Sequence, residues 1–246
     1  MEELHSWHLD PQQAIEVQRE LRERLVLAWD GREVTMVGGV DVSVKAGLAR
    51  AAIVVLRYPD LAPVTTATAE MPVPFPYIPG LLTFREGPVV LEAWKRLRVD
   101  PDLLLFDGQG IAHPRGIGLA AHMGLWLGCP SIGVAKTWLY GEHDEPGRLK
   151  GQAAELRSPR EAGTVIGAVV RTRTGVKPVY VSPGHLIDVP KAIEYALGCC
   201  TRYRLPETTR GAHRLCAQAR LDARSDRLPR GTGAGGGTGH KRGLKR

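Results

Sequence analysis

The stretch that decides the fold is Leu103-Leu104-Leu105-Phe106-Asp107-Gly108-Gln109-Gly110, followed by Ile111-Ala112-His113-Pro114-Arg115. Four apolar residues lead into a carboxylate and a glycine-rich turn. A run this short and this apolar reads as a strand buried on both faces, as in a parallel sheet. The carboxyl ends of such strands are where open α/β sheets place their chemistry. Asp107 therefore stands where a reactive group would stand, although an aspartate that merely caps a turn is a common alternative.

The flanks of this strand fill in the architecture. Upstream, Pro88, Val89, Leu91, Ala93, Trp94 and Leu97 fit a helix with Pro88 in its first turn. Downstream, residues 116–127 form a helix rich in small side chains (Gly116, Gly118, Ala120, Ala121, Gly124), stopped at Gly128 and followed by a strand from Ser131 to Lys136. Before all of these come three strands, at 34–44, 48–58 and 64–73, with connections short enough for an antiparallel meander. An N-terminal helix starts at Asp10-Pro11-Gln12-Gln13 and is expected to end at Gly31. Beyond Lys136 the reading gives a loop, strands near 164–173 and 176–182, and helices over 188–198 and about 208–220.

The order β-β-β-α-β-α-β matches the ribonuclease H-like arrangement, in which the first strand lies beside the fourth. The expected fold is α/β: a mixed five-stranded central sheet, flanking helices, and extra C-terminal strands and helices. That order would bring Asp41 and Asp107 together.

Composition bounds the rest. The chain has 246 residues, enough for one large domain with an extension. Residues 217–246 hold eight Lys/Arg and two Asp/Glu, so this end carries +6 of the net +7 and the body is left with +1. The basic character is a property of the tail, where it suits phosphate binding. The expected division is a catalytic domain over 1–223 and a disordered, Gly-rich basic tail over 224–246. Four cysteines without a CxxC pair read as reduced thiols, not a zinc site. No secretory signal and no membrane span are read, which points to a cytoplasmic chain.

Several residues could carry chemistry, each with a plainer alternative. Asp41 lies mid-strand on a face with Gly39 and Ser43, where a carboxylate is either exposed or used. Glu86, before Gly87-Pro88, either compensates a helix dipole or joins an acidic site. Lys136 is a solvated strand end or a phosphate partner. His113 makes a local hydrogen bond or meets a phosphate, and His213 is a surface histidine or a site residue. Taken together, the three carboxylates are hard oxygen donors of the kind magnesium or manganese requires. In Pro72-Val73-Pro74-Phe75-Pro76-Tyr77-Ile78-Pro79-Gly80, the prolines stiffen a loop. Its Tyr77 either packs over the sheet edge or serves as a wedge beside a flipped base.

Five segments together resemble endonuclease V, the deoxyinosine-specific repair nuclease. They are Gly38-Gly39-Val40-Asp41-Val42-Ser43, Pro76 through Glu86, Asp107-Gly108-Gln109-Gly110 with His113-Pro114-Arg115, Gly133-Val134-Ala135-Lys136, and Val181-Ser182-Pro183-Gly184-His185. The resemblance spans about residues 10–220. It implies a ribonuclease H-like fold and magnesium-dependent hydrolysis, with manganese as a substitute. Cleavage would fall at the second phosphodiester bond 3′ to the lesion, leaving a 3′ hydroxyl and a 5′ phosphate. It implies Asp41, Glu86 and Asp107 as metal ligands, with Lys136 and His213 beside them as catalytic residues. Pro76, Tyr77, Ile78 and Pro79 would part the strands, and Gly80, Leu82, Gly108 and Gly118 would line a hypoxanthine pocket. Arg85 and His113 fall within the same substrate-contacting segments. Gln109 departs from the histidine found in several members. The expected partner is DNA containing deoxyinosine, acted on by a monomer. Inosine-containing RNA and a non-cleaving module for distorted DNA are the alternatives.

Overall fold

The computed structural model of the chain describes residues 2–225, with side chains to 218. Its frame is a single eight-stranded sheet. In chain order the strands are β1 (Met36–Lys45), β2 (Leu48–Arg57), β3 (Pro63–Pro72), β4 (Leu103–Phe106), β5 (Ser131–Ala135), β6 (Ala153–Arg157), β7 (Val165–Val170) and β8 (Val179–His185), arranged β3-β2-β1-β4-β5-β8-β7-β6. The helices are α1 (Pro11–Arg22), α2 (Leu82–Trp94), α3 (Leu119–Leu127), α4 (Val189–Gly198) and α5 (Glu207–Ser225).

The strand that opened the reading is β4, and all four of its side chains are buried. Leu104 and Phe106 enter the core layer closed by Val89 and Val90 of α2 and by Ala120 and Met123 of α3. Leu103 and Leu105 enter the opposite layer, closed by Ala192 and Tyr195 of α4 and by Ala212 and Cys216 of α5. Each such side chain contributes about 1.5–3 kcal/mol through burial. The meander β1–β2–β3 is antiparallel, β1 pairs parallel with β4, and β4 pairs parallel with β5. The ribonuclease H-like arrangement expected from the element order is therefore present. The extra C-terminal strands extend the same sheet, because β8 pairs antiparallel with β5.

Four boundaries differ from the sequence reading. α1 ends at Arg22 and does not run on to Gly31. The chain after it is captured by the end of β8: Leu186 N donates to Val26 O at 2.6 Å and Val26 N to His185 Nδ1 at 3.2 Å, in place of helical bonds. α2 begins at Leu82, so Pro88 lies inside the helix. Glu86 is then a mid-helix residue and not the dipole-compensating first-turn acid. β6 was expected as loop; only Leu156 of it is buried, so it lacks the apolar pattern that marks a strand. α5 extends to Ser225, past the expected domain end at 223, and the rest of the proposed tail lies outside the described residues. No helix among the described residues is long and apolar enough to cross a membrane. All four cysteines are buried.

Two close packings set up the site. The N-terminal segment lies over α2 and α3: Trp7 stacks on Trp126 with centroids 4.5 Å apart, and His5 Nε2 meets His122 Nε2 at 2.7 Å. Trp7 also covers Gly87, where an added Cβ would come within 2.6 Å of its ring. On the other face, α5 descends onto β1 at Gly39, where a Cβ would lie 2.1 Å from the carbonyl carbon of Thr208. That obstacle is backbone, so only glycine lets the helix sit this close.

Gly39→Ala should therefore push α5 away from β1 and lower stability by about 1–3 kcal/mol, as read by denaturant titration. A variant with the wild-type midpoint would show that the helix does not rest on Gly39.

Candidate active site

Asp41 shares its strand face with Gly39, so it faces the helix that Gly39 admits. Little more than a turn after Thr208, His213 of α5 reaches it, with Nδ1 3.1 Å from Asp41 Oδ2. Asp107 follows β4 directly, and its N–H donates to Val40 O at 3.1 Å, so the parallel ladder carries it alongside Asp41. Lys136, just beyond β5, donates from Nζ to Asp107 Oδ2. Three neighbouring chain segments thus deliver an acid, an acid and a lysine to one end of the sheet. Asp41, Asp107 and His213 each offer a ligand atom, all within 4.8 Å of one another.

The electrostatics are those of crowded acids. Burial pushes the Asp41 carboxyl above its ordinary range and the Asp107 charge adds to this, while His213 and Lys136 pull the other way. Glu86 is pushed up to about 7, first by burial and then by Asp41 and Asp107, against the opposing Arg85. Resemblance assigned the metal to Asp41, Glu86 and Asp107. The structure brings Asp41, Asp107 and His213 within ligand distance of one another, and Glu86 lines the same cavity. The donors present suit a divalent cation, which would relieve the repulsion between the acids. Their small number leaves positions for water and phosphate oxygens, as magnesium prefers.

The acids open into a cavity of about 610 Å³. Its wall includes Asp41, Glu86, Asp107, Lys136 and His213, and on the other side Tyr77, Pro79, Gly80, Leu82, Gly108, His113 and Gly118. Pro76, Ile78 and Arg85 are not among its lining residues. Arg85 instead donates from Nη1 to Phe75 O at 3.1 Å, bracing the proline loop from behind. Phe75 is buried against Phe84, and Ile78 is partly buried in the same cluster, which leaves Tyr77 standing out at 68% exposure.

The loop's far end is clamped. Gly80 has φ +81°, and its carbonyl accepts from Arg115 Nη2 at 2.6 Å and from Gln18 Nε2 at 3.0 Å. His113, beside it, is buried, and this together with the Arg115 charge lowers its pKa to about 4. Its Nδ1 accepts from Arg115 N at 3.2 Å, so the neutral ring carries its proton on Nε2, the nitrogen nearest Gly80. Gly118 is required by packing, since a Cβ would lie 2.5 Å from Gln109 O. Gly108 is not: the nearest obstacle to a Cβ is a Leu119 side-chain atom at 3.6 Å. Absent from the sequence reading were the wall residues Thr83, Thr137, Trp138 and Leu139. The apolar pair Trp138-Leu139, directly after Lys136-Thr137 in a loop, was the available signal.

The family model described as Endonuclease V matches residues 19–214. An endonuclease V of Myxococcus xanthus is 50% identical over 216 residues, 87% of this chain and 91% of that relative. Among solved structures, an endonuclease V from Streptomyces avermitilis superposes with TM-score 0.83 at 43% identity, covering 89% of this chain and 96% of that one. The catalytic domain of human endonuclease V gives 0.80 at 30% identity, with 87% and 97% covered. A Ciona intestinalis endonuclease V, in complex with a 23mer DNA containing an inosine followed by a ribo-adenosine, gives 0.76 at 28% identity, with 87% and 100% covered.

The raised carboxyls set a pH dependence. Glu86 binds its proton more tightly folded than unfolded, so the stability it contributes is full below its ordinary pKa of 4.5 and is lost as pH rises through about 7. In chelator, the melting temperature should fall between pH 5 and pH 8 by more in the wild type than in Glu86→Gln. Magnesium or manganese should raise it, and more so at pH 8. Equal pH profiles in the two proteins would remove Glu86 from the coupled cluster.

Proposed function

This chain belongs to the endonuclease V family, and we propose that it is a DNA repair endonuclease that hydrolyses DNA at deoxyinosine with a divalent metal, magnesium by preference and manganese as a substitute. In this reading the cut falls at the second phosphodiester bond on the 3′ side and leaves a 3′ hydroxyl and a 5′ phosphate. The observation that carries it is one cavity lined both by a carboxylate–histidine cluster and by Tyr77, Gly80, Gly108 and Gly118.

A metal held by Asp41, Glu86 and Asp107, with His213 beside them, would supply Lewis-acid charge at the phosphate and at the leaving oxygen. The chain's own residues do the rest. Lys136 offsets the charge on Asp107 and on an incoming phosphate. Tyr77, held out on its braced loop, fills the gap left by an extruded nucleotide, a few kcal/mol of unstacking being the cost of extrusion.

The recess then reads the base. A neutral His113, its Nε2 proton held by the Gly80 backbone, fixes the end of the loop beside which the base would lie. Gly108, unneeded for packing, leaves its backbone open to close approach of a flat ring.

The test is one labelled deoxyinosine duplex beside its undamaged twin, with magnesium and with chelator. Nicking of the first alone, abolished by chelator and by Asp41→Ala or Asp107→Ala, is expected. Binding without nicking would make the chain a recognition module, and full activity in either variant would remove the metal assignment. An inosine-containing RNA of the same sequence belongs in the series, since the Ciona relative was solved with a ribonucleotide after the inosine. Gly108→Ala should keep wild-type stability yet cut poorly; unimpaired cleavage would show that no base approaches there.

A further inference from the structure

Among the described residues seven large apolar side chains stand exposed, and three of them, Tyr77, Trp138 and Leu139, line the cavity that holds the carboxylates. Apolar groups gathered this way beside a polar site mark a contact surface. The wedge accounts for Tyr77. Nothing in the mechanism yet uses Trp138 and Leu139.

Trp138 is 56% exposed but not loose. Its Nε1–H donates to Gly141 O at 2.8 Å, which fixes the indole by one edge. The loop that bears it is fastened on both flanks. Before it, Gln109 Nε2 donates to Thr137 O at 3.3 Å, tying the loop to the turn that follows Asp107. After it, Glu142 and Arg157 exchange both backbone hydrogen bonds, at 2.9 and 2.8 Å. The ring is therefore placed relative to Asp107 before any ligand arrives, which lowers the ordering cost of binding.

The cavity it lines holds the acids and Lys136, and further cations lie in the hollow that adjoins them. Lys136 precedes Trp138 by two positions. A second hollow of about 280 Å³ adjoins Asp107, Lys136 and His213 and is lined by Arg210 and Arg214. Arg210 is itself set in place, 3.3 Å over the Tyr203 ring and paired with Glu207 at 2.7 Å. A fixed aromatic face beside a track of cations is how proteins hold single-stranded nucleic acid, bases on the rings and phosphates on the cations.

We infer that Trp138, widened by Leu139, is a stacking platform for a nucleobase of the substrate strand, at a nucleotide flanking the one whose base enters the recess. The inference rests on the nucleolytic reading above. Every base has a flat face, so the platform sets affinity and strand position and is indifferent to base identity.

The experiment measures Kd by fluorescence anisotropy, with calcium in place of magnesium, and cleavage with magnesium in parallel. The probes are deoxyinosine oligonucleotides, each carrying one abasic site at a different flanking position. Wild type should lose about tenfold in affinity at one flanking position, the size of one base–aromatic stack. Trp138→Ala should bind the intact oligonucleotide about tenfold more weakly and be insensitive to the abasic site at that position. Trp138→Phe should restore both the affinity and the sensitivity. Equal Kd for wild type and Trp138→Ala would overturn the inference. So would a Trp138→Ala loss that leaves the abasic profile unchanged, because a merely structural ring would weaken every probe alike. Failure of the wild type to cut any deoxyinosine probe would overturn the functional reading instead, while the Kd profiles still decide the role of Trp138.

Discussion

Asp41 and Asp107 lie side by side because their strands are hydrogen-bonded neighbours running in the same direction, and the backbone gives them no room to part. Two unit charges within 4.8 Å repel by about 3 kcal/mol at an effective dielectric of about 20. The four buried side chains of β4 contribute about 1.5–3 kcal/mol each, so hydrophobic burial outweighs the repulsion and holds the acids in place. Lys136 and His213 offset part of what remains. The reactive end of the sheet is stressed and its middle is not, and the middle is what makes the stress sustainable.

The opposite wall follows a different rule. There the side chains are largely spent on holding one another: Arg85 braces Phe75, while Arg115 and Gln18 share the Gly80 carbonyl. The surfaces left free are a tyrosine ring and a few glycine backbones. A wall of this kind suits recognition by shape. The acidic wall, by contrast, acts through charge on whatever lies against it. Joining the two in one cavity lets recognition position the bond to be broken.

Most of this was legible in the sequence. The continuous apolar run of β4 and the three strands before it set the element order, and analogy with the ribonuclease H-like arrangement then placed β1 beside β4, and with it Asp41 beside Asp107. What stayed hidden was tertiary in origin. Residues 23–31 read as helix because Leu25 and Ala28 fall at helical spacing, yet Val26 spends its backbone groups on His185 and Leu186 at the end of β8. Glu86 looked like a first-turn acid because Pro88 is a common helix starter, whereas the helix begins at Leu82. His213 comes from α5, and the contact at Gly39 is what lets that helix sit close enough to reach Asp41. Arg85 sits in a run of motif residues but does framework work that no spacing announces.

The covering of Gly87 by Trp7 gives the first few residues of the chain an unexpected standing. Glu86 is the preceding residue of α2, so the acid on the cavity side is backed, through one thickness of helix, by an indole that belongs to the N-terminal segment. With His5 against His122, that segment works as a splint for the helix rather than as a loose leader. An affinity tag fused close to Trp7, or a truncation begun at the first strand, is for that reason a perturbation of the hydrolytic centre as well as of the terminus.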